Sequence, residues 1–437
     1  MDYSGAASED LNNVFAAKDS SGATKIFGGS QTMLYLLDSV DLSLDDVSAT
    51  TSGYTQSNRW YFTQFGNNVI AANGKDKLQY YDLTTTGTFE ELSSGAPASK
   101  FVTVIRDFVV SANEPNNPNR VQWSGINDPT TWTSSGVTQS DFQDIPDGGN
   151  VMGITGGEFG IVLMEQAIFR MSYVGTPLVF QFDNIARNRG CYESNSVVQW
   201  QGITYFLSDD GFYACNGQQV IPIGAEKVNR FFFSDVVEAE IESMSAAVDP
   251  VRNLIVWGYP SLEDTYRLLV YHIVTQRWSI VDTTINRIAN SATPGVTLEG
   301  LDAFSASIDA LGTSLDSRIW LGGKLNLTGV RGAKIVAFSG TNKVGVIETS
   351  DLESSGQNSL ITLAKPLIEG GSADVSVASR LLLSQTPTFN GAVSANSENR
   401  VGLRSYGKYH RVRVTPTGIN WQTAFGVDVD IQQAGMR

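Results

Sequence analysis

The small number of histidines limits the nucleophilic chemistry that this chain can perform. The 437 residues include only two of them, His272 and His410. His272 lies in LLVYHIVTQRW, an apolar pattern typical of a strand, and His410 lies in the basic stretch RSYGKYHRVRV. A serine nucleophile requires a nearby base, usually a histidine, and the Gly-x-Ser-x-Gly turn that presents such a serine does not occur. We therefore do not expect a serine hydrolase.

Phosphate-binding and sugar-cleaving motifs are also incomplete. A phosphate-binding loop ends in Gly-Lys-Ser or Gly-Lys-Thr, whose hydroxyl reaches magnesium, but here Asp, Leu and Tyr follow the pairs Gly74-Lys75, Gly323-Lys324 and Gly407-Lys408. The stretch SDDGFY from Ser208 resembles the aspartate box of sialidases without its spacing or its tryptophan, and we interpret it as a turn. A glycosidase needs only a suitable pair of carboxylates, so 45 acidic residues leave that alternative open. No cofactor or metal is predicted.

One basic run has side chains suited to phosphate or to an acidic protein surface. In YHRVRV from Tyr409, cationic and apolar residues alternate, which predicts a strand with one cationic and one apolar face. Basic residues interleaved with tyrosines are typical of nucleic-acid contacts, and an interface with the acidic surface of a neighbouring subunit explains them at least as well. The candidate residues for a subunit interface or a DNA channel are Arg404, Lys408, Arg411 and Arg413.

The charge is distributed unevenly along the chain. The formal net charge is −15, which argues against general affinity for nucleic acid, because such affinity depends on clustered Lys and Arg. From Arg380 to Arg437 there are seven Lys or Arg and three acidic residues, a balance of +4, so the remainder carries −19. The sequence therefore predicts an acidic body and a basic C-terminal module.

The composition indicates an all-β protein. The chain has 42 glycines, 10% aromatic residues and only 17% charged residues, which is typical of many short strands joined by tight turns. No apolar segment approaches the length of a membrane-spanning helix and no secretion signal begins the sequence, so we expect a protein made in a cytoplasm. Its cysteines, Cys191 and Cys215, are predicted to be reduced and to lie in or near the core.

A repeated unit predicts the architecture. The unit has an apolar strand, a tight polar turn, a second apolar strand and a third strand rich in aromatic residues. The turns of its five clear copies are separated by 41 to 50 residues and lie at Gly66, Asp107, Gly157, Gly202 and Pro250. Weaker copies begin at Thr24 and Ser317. Four short strands fill such a period, which is the spacing of β-propeller blades.

The predicted division of the chain has three parts. Residues 1–20 are an N-terminal arm, residues 21–345 a propeller of about seven blades with six as the alternative, and residues 346–437 a β-sandwich or barrel. In VQWSGINDPTTW, the sequence predicts that VQW is a third strand, that SGINDP is a turn and that TTW begins the outer strand. Trp123 and Trp132 are predicted to pack between neighbouring sheets rather than to stack on a sugar.

Several ordered segments together resemble a known family. NRWYFTQFGNNVIAANG, VQWSGINDPTTW, EFGIVLMEQAIFRMSYVGTP, RGCYESNSVVQWQGITYFLSDDGFYACNG and GLRSYGKYHRVRVTPTG are similar to the tail nozzle proteins of short-tailed bacteriophages, also called tail hub or packaged-DNA stabilisation proteins. The resemblance extends from about residue 54 to residue 437, and the first fifty residues match poorly.

The resemblance implies a structural protein of the virion rather than an enzyme. It implies a homohexameric ring below the portal and adaptor proteins, a propeller in each subunit, and a channel through which double-stranded DNA passes without sequence specificity. It also implies docking of tail fibres or spikes, and assembly in the cytoplasm of a bacterial host. The alternative is a tail-associated propeller that binds or hydrolyses glycans. No catalytic residue is carried over from the family.

Overall fold

The computed structural model describes residues 2–49, 53–263, 265–292, 301, 307, 324–338, 342–354, 356–418 and 421–434. The chain divides into two compact units, Met1–Ser339 and Gly340–Arg437. Strands dominate both units, as the composition predicted. Among the described residues, no helix combines the length and the apolar character needed to cross a membrane.

The first three sheets of the first unit each contain four antiparallel strands in chain order. The first comprises β1 (Asn13–Lys18), β2 (Thr24–Gly29), β3 (Leu34–Leu37) and β4 (Leu44–Asp46). The second comprises β5 (Tyr61–Phe65), β6 (Asn68–Ala72), β7 (Gln79–Asp82) and β8 (Glu90–Glu91). The third comprises β9 (Phe101–Ile105), β10 (Phe108–Glu114), β11 (Asn117–Trp123) and β12 (Asp141–Asp144).

The next three sheets repeat the same order. The fourth comprises β13 (Val151–Thr155), β14 (Gly160–Met164), β15 (Ala167–Gly175) and β16 (Val179–Arg187). The fifth comprises β17 (Val198–Trp200), β18 (Ile203–Ser208), β19 (Gly211–Cys215) and β20 (Val220–Pro222). The helix α1 (Asn229–Asp235) and a 3-10 turn (Glu238–Ser243) precede the sixth, which comprises β21 (Ser245–Asp249), β22 (Leu254–Pro260), β23 (Tyr266–His272) and β24 (Arg277–Thr283).

The seventh sheet closes the ring. Its described strands are β25 (Arg287–Ala292), β26 (Leu325–Arg331) and β27 (Lys334–Ala337). An apolar core lies between every two consecutive sheets, and a further core joins residues of the first sheet, such as Val14 and Tyr35, to Ala289 and Val330 of the seventh. The described residues therefore confirm the propeller, with seven sheets rather than six.

The repeated turns occupy one equivalent position in the structure. Each of the five predicted turns joins the first strand of a sheet to the second. Gly66 and Gly202 have φ angles of 58° and 78°, a left-handed conformation that glycine adopts without strain. The period in the sequence therefore corresponds to one sheet of the propeller.

The two tryptophans of the third sheet pack as predicted. Trp123 lies in the core between the third and fourth sheets, with its ring centroid 5.1 Å from that of Phe180. Trp132 lies in the core between the second and third sheets. The prediction that TTW begins the outer strand is wrong, because β12 begins at Asp141. The indole of Trp132 instead donates to the carbonyl of Pro129, within the loop that precedes β12.

The structure corrects the predicted N-terminal arm. Residues Asn13–Lys18 form β1, the first strand of the first sheet. Further upstream, the backbone amide of Tyr3 donates to the carbonyl of Ile335 at 2.8 Å, and Asp2 forms an antiparallel bridge with Val336. The N-terminal residues thus line the free edge of β27 and take the place of a fourth strand in the seventh sheet.

The weaker repeats were predicted less accurately than the clear ones. The copy beginning at Thr24 starts at β2, because β1 had been assigned to the arm. The copy beginning at Ser317 falls partly on residues 317–323, which lie outside the described residues, and the first strand of the seventh sheet is β25. Cys191 and Cys215 are both buried free thiols, in agreement with the prediction.

The second unit is a β-sandwich. Its strands are β28 (Ile347–Glu348), β29 (Leu352–Glu353), β30 (Ser359–Glu369), β31 (Ser372–Arg380), β32 (Val393–Ser394), β33 (Val401–Gly407), β34 (Tyr409–Thr417) and β35 (Thr423–Gln433). One sheet has the order β28-β34-β31-β32 with β29 also on β34, and the other has the order β33-β30-β35. Buried residues of both sheets, including Ile361 and Val412, form the core between them. The unit was predicted to begin at residue 346, whereas the division falls after Ser339.

Candidate assembly surface

The four candidate cations do not form one patch. Arg404 lies on β33, in the three-stranded sheet, whereas Arg411 and Arg413 lie on β34, in the opposite sheet. Along β34, His410 and Val412 are buried while the two arginines are half-buried, so the predicted alternation is confirmed. Because the chain crosses from one sheet to the other near Lys408, the side chains of Arg404 and of the β34 arginines lie on opposite outer faces.

The arginines of β34 are already paired within the unit. Arg413 Nη2 lies 3.0 Å from Glu348 Oε2, and Arg411 Nη2 lies 3.1 Å from Asp351 Oδ2. The hydrogen bond from Arg411 keeps the pKa of Asp351 below its usual range and raises that of Arg411 itself. These ion pairs attach the segment that contains β28 and β29 to β34, in addition to the backbone hydrogen bonds.

The two other candidates, Lys408 and Arg404, differ in whether a carboxylate lies near the side chain. Lys408 Nζ lies 3.7 Å from Glu353 Oε1, a partly exposed pair. Of the four candidates, Arg404 alone has no carboxylate partner among the described residues, and its side chain is exposed. Arg404 is therefore the candidate whose charge is most available to DNA or to another subunit.

A turn of three leucines follows β31, and we call residues Leu381–Gln385 the leucine turn. The exposed fractions of Leu381, Leu382 and Leu383 are 49%, 61% and 56%. Isolated exposed leucines are common on soluble proteins, whereas a contiguous exposed apolar group is typical of a contact surface. Three successive leucines break the alternation expected of a half-buried strand, so this surface has a local signal in the sequence.

The leucine turn is held in place by Arg380. Arg380 Nη1 donates to the carbonyl oxygens of Leu383 at 2.8 Å and Gln385 at 2.6 Å. Its Nη2 lies 2.6 Å from Asp351 Oδ2, the same carboxylate that binds Arg411. The side-chain oxygen of Gln385 also accepts hydrogen bonds from the backbone amides of Leu381 and Leu382. The backbone of the leucine turn is therefore held by side-chain hydrogen bonds, while its three leucines remain exposed.

Further apolar side chains are exposed on the other sheet of the sandwich. Phe425 on β35 is 65% exposed and Tyr406 on β33 is 55% exposed. Both belong to the sheet that presents Arg404. The sandwich thus presents aromatic and cationic side chains on one sheet and the leucine turn at the end of a strand of the other.

His410 has a structural position in the centre of the sandwich. It is fully buried, and both ring nitrogens have hydroxyl partners, with Nε2 at 2.9 Å from Ser359 Oγ and Nδ1 at 2.6 Å from Ser379 Oγ. Burial lowers its pKa, which favours the neutral ring. In the described part of the chain, no three His, Cys, Asp or Glu residues are grouped so that they could hold a metal ion.

Comparison with known proteins identifies no family. No family model matches the chain, and no curated protein is similar to it. Among solved structures, the computationally designed Ika8 protein is similar with a TM-score of 0.39 and 10% identity, over 76% of this chain and 98% of that one. A chain of the mitotic checkpoint complex has a TM-score of 0.41 and 10% identity, over 77% of this chain and 93% of that one.

BamB from Moraxella catarrhalis is a third similar structure. Its TM-score is 0.29 and its identity 15%, over 46% of this chain and 55% of that one. Likenesses at such low identity concern the fold and carry no information on partners or activity.

Proposed function

We propose that this protein is a structural subunit of a short bacteriophage tail. In this proposal six copies form a nozzle ring below the portal and adaptor proteins, surround the path of double-stranded DNA, help to retain and eject the genome, and dock tail fibres or spikes. The single observation in support is the leucine turn, an exposed apolar group fixed in advance by Arg380 and Asp351. The resemblance of ordered sequence segments to tail nozzle proteins supplies the biological context. The proposal assigns no catalytic residue.

The leucine turn has the properties of an anchor for another subunit. Apolar residues removed from water on association contribute to affinity in proportion to their buried area. A turn that is already ordered loses little conformational entropy when it binds, so more of that contribution remains as binding free energy. The leucine turn meets both conditions, because its three leucines are exposed and charged hydrogen bonds hold the turn in place.

A second copy of this chain is the partner that the charges favour. The second unit, residues 340–437, has nine Lys or Arg and eight acidic residues, a balance of +1, whereas the rest of the chain carries −16. Arg404 is exposed and has no carboxylate partner among the described residues of its own chain. The leucine turn and the exposed Arg404 of one copy against the acidic remainder of the next are electrostatically complementary.

The experiment compares two matched leucines. Leu382, at 61% exposure, belongs to the leucine turn, and Leu262, at 63% exposure, lies between β22 and β23 of the propeller. We expect light scattering and negative-stain microscopy to show hollow six-fold rings for the wild type and for Leu262→Asp, and smaller particles for Leu382→Asp. Rings of unchanged size and yield in Leu382→Asp, or a wild type that is monomeric at every concentration, would contradict the proposal.

A further inference from the structure

The two sheets of the sandwich differ in the length of their edge strands. In the sheet built on β31 and β34, the edge strands β28, β29 and β32 have two residues each. In the other sheet, the edge strands are β33, with seven residues, and β35, with eleven. Short edge strands protect a sheet against pairing with another chain, whereas a long edge presents a row of unpaired backbone N–H and C=O groups. Of the two sheets, the one with β33 and β35 therefore offers edges to which a strand of another molecule can add.

Both long edges are free within the sandwich. β33 pairs with one side of the central strand β30, and β35 pairs with the other side. Among the described residues, neither edge strand pairs with a further strand. Neither contains a proline or a lysine, the residues that many proteins place on an edge to keep it unpaired.

The exposed faces of the two edge strands carry opposite charges. On β33, Leu403 packs against the core and Arg404 is exposed. On β35, Val429 packs against the core, and its neighbours Asp428 and Asp430 are exposed. β33 contains no acidic residue and β35 no basic one. The ion pairs of the described part of the sandwich involve neither Arg404 nor either aspartate.

The two aspartates differ in how far the sandwich itself neutralises them. Lys365 of β30 lies directly across from Asp428, so it offsets part of that charge although it forms no ion pair with it among the described contacts. Asp430 accepts a hydrogen bond from the hydroxyl of Thr362 at 3.4 Å, a group without formal charge. Asp430 on one edge and Arg404 on the other are therefore the charges most available to another molecule.

The charges disfavour contact between two identical edges. Arg404 is the central residue of β33, which runs from Val401 to Gly407, and Asp428 is the central residue of β35, which runs from Thr423 to Gln433. A two-fold contact between two copies of either strand along its full length places the central residue opposite its own copy. Like charges directly opposite each other in a sheet are destabilising.

Contact between unlike edges has the opposite consequence. It brings Arg404 of one copy next to the aspartates of another, and it leaves a free β33 at one end of the pair and a free β35 at the other. A contact of this head-to-tail kind generates a closed ring when the rotation between neighbours closes.

The strand directions fix how the edges meet. β33 and β35 are both antiparallel to β30, so they run in the same direction and form a parallel pair when copies follow one another in one orientation. Placing Arg404 beside Asp430 then places Tyr406 beside Gln432. Within one chain, Tyr406 and Gln432 already flank Leu360 at the same level of the sheet. The rows of side chains thus continue from one copy into the next without a shift.

The end of β33 adjoins the leucine turn. The backbone amide of Lys408, which directly follows β33, donates to the carbonyl of Arg380 at 3.0 Å, and Arg380 directly precedes the leucine turn. Both surfaces therefore lie at the same end of β33, where one neighbouring copy can contact both.

We propose that β33 of one copy pairs in parallel with β35 of the next, with Arg404 beside Asp430, so that the sheet continues from subunit to subunit. The pairing rests on the proposed assembly of copies into a ring, and it names the strands that join them. The acidic remainder of the neighbouring copy attracts Arg404 from a distance, and Asp430 is its partner in contact. Addition of a strand to an exposed sheet edge is a recurring mode of recognition.

Disulfide formation in the full chain carrying Tyr406→Cys and Gln432→Cys tests the contact. Within one chain these positions are two inter-strand spacings apart, about 9–10 Å, and a disulfide requires Cα atoms less than about 7 Å apart, so the bond forms only between copies. The native Cys191 and Cys215 are buried. After mild oxidation, we expect non-reducing electrophoresis to show a ladder of linked chains that ends at six copies. The single variants Tyr406→Cys and Gln432→Cys should remain unlinked, because identical edges do not meet.

The outcomes separate this pairing from the proposed function. Six-fold rings in negative stain without linkage of the double variant would overturn the edge pairing and leave the proposed function standing. Linked chains without rings would support the edge pairing and contradict the ring. Linkage of either single variant would show that identical edges meet and would overturn the head-to-tail contact.

Charge reversal tests the register of the same contact. Arg404→Asp and Asp430→Arg should each raise the concentration of half-maximal assembly at least about tenfold, because each places like charges side by side. An equimolar mixture of the two variants should recover assembly, since alternating copies restore opposite charges at every contact. Arg277→Asp, the same change on the exposed outer strand β24, should have no effect. Wild-type assembly by both single variants, or no recovery in the mixture, would refute the contact of Arg404 with Asp430.

Discussion

Replacing Asp351 with alanine tests how firmly the leucine turn is held. Asp351 accepts hydrogen bonds from Arg380 Nη2 at 2.6 Å and from Arg411 Nε and Nη2 at 3.2 and 3.1 Å. A hydrogen bond to a charged group contributes about 1.5–3 kcal/mol, but an exposed ion pair only about 0–1 kcal/mol. The Arg380 side chain is 10% exposed and that of Arg411 is 34% exposed, so the first partner dominates. We expect Asp351→Ala to lower the free energy of unfolding of the sandwich by about 2–4 kcal/mol.

Glu348→Ala is the matched control. Glu348 belongs to the same network, but its partners Arg411 and Arg413 are 34% and 41% exposed, so its loss should cost only about 0–1 kcal/mol. Native-state hydrogen exchange of the β31 and β34 amides measures the difference, because it reports the stability of the sandwich separately from that of the propeller.

Two results would refute the expectation that Asp351→Ala lowers the stability of the sandwich more than Glu348→Ala does. Equal losses of protection in Asp351→Ala and Glu348→Ala would show that the burial of Arg380 contributes nothing. A loss below about 0.5 kcal/mol for Asp351→Ala would place it among ordinary surface substitutions. Either result would show that ionic contacts do not fix the leucine turn. If these contacts do hold the turn, Asp351→Ala should also reduce ring yield.

Two further predictions concern buried polar groups. Burial lowers the pKa of His410, so below about pH 6.5 the unfolded chain binds more protons than the folded one and the sandwich should lose stability as the pH falls. In urea titrations followed by hydrogen exchange of β34, His410→Gln should lack this part of the pH dependence. The same dependence of stability on pH in the variant and the wild type would refute the prediction. Asp235 is buried and accepts from Tyr259, Ser261 and Arg267, so Asp235→Ala should destabilise the propeller by about 3–5 kcal/mol. Asp282→Ala, which removes a 66% exposed partner of Arg267, should cost about 0–1 kcal/mol, and similar thermal shifts for both would contradict the burial argument.

The hairpins of the propeller could be predicted because their signals are local. Gly66 and Gly202 lie next to strands whose apolar residues face a neighbouring sheet, so turn and strand are encoded within a few residues. The same reasoning placed Trp123 and Trp132 between sheets. The predicted start of the outer strand of the third sheet was wrong. Hydrogen bonds hold the loop between Trp132 and Asp141, and no short sequence pattern indicates them.

Contacts between distant residues could not be predicted in this way. The backbone of Tyr3 pairs with that of Ile335, and no residue near position 3 indicates that its partner lies at the other end of the propeller sequence. Arg411 was predicted as a candidate for a subunit interface or a DNA channel, and the sequence did not indicate that Asp351, 60 positions away, pairs with it. Arg59 and Arg287 belong to different sheets, yet they donate to the consecutive carbonyls of Met244 and Ser243, which only the closed ring brings together.

Closure by the N-terminal residues has a consequence for synthesis of the protein. Asp2 contacts Arg331 and Lys334, which are 329 and 332 positions away along the chain. At about 5–20 residues per second, the ribosome needs about 15–70 s to translate the intervening polypeptide. Throughout that interval the apolar side of the first sheet that will cover Ala289 and Val330 has no partner. That side of the first sheet can be covered only after β27 has emerged from the exit tunnel, so closure of the propeller is a late step of its synthesis.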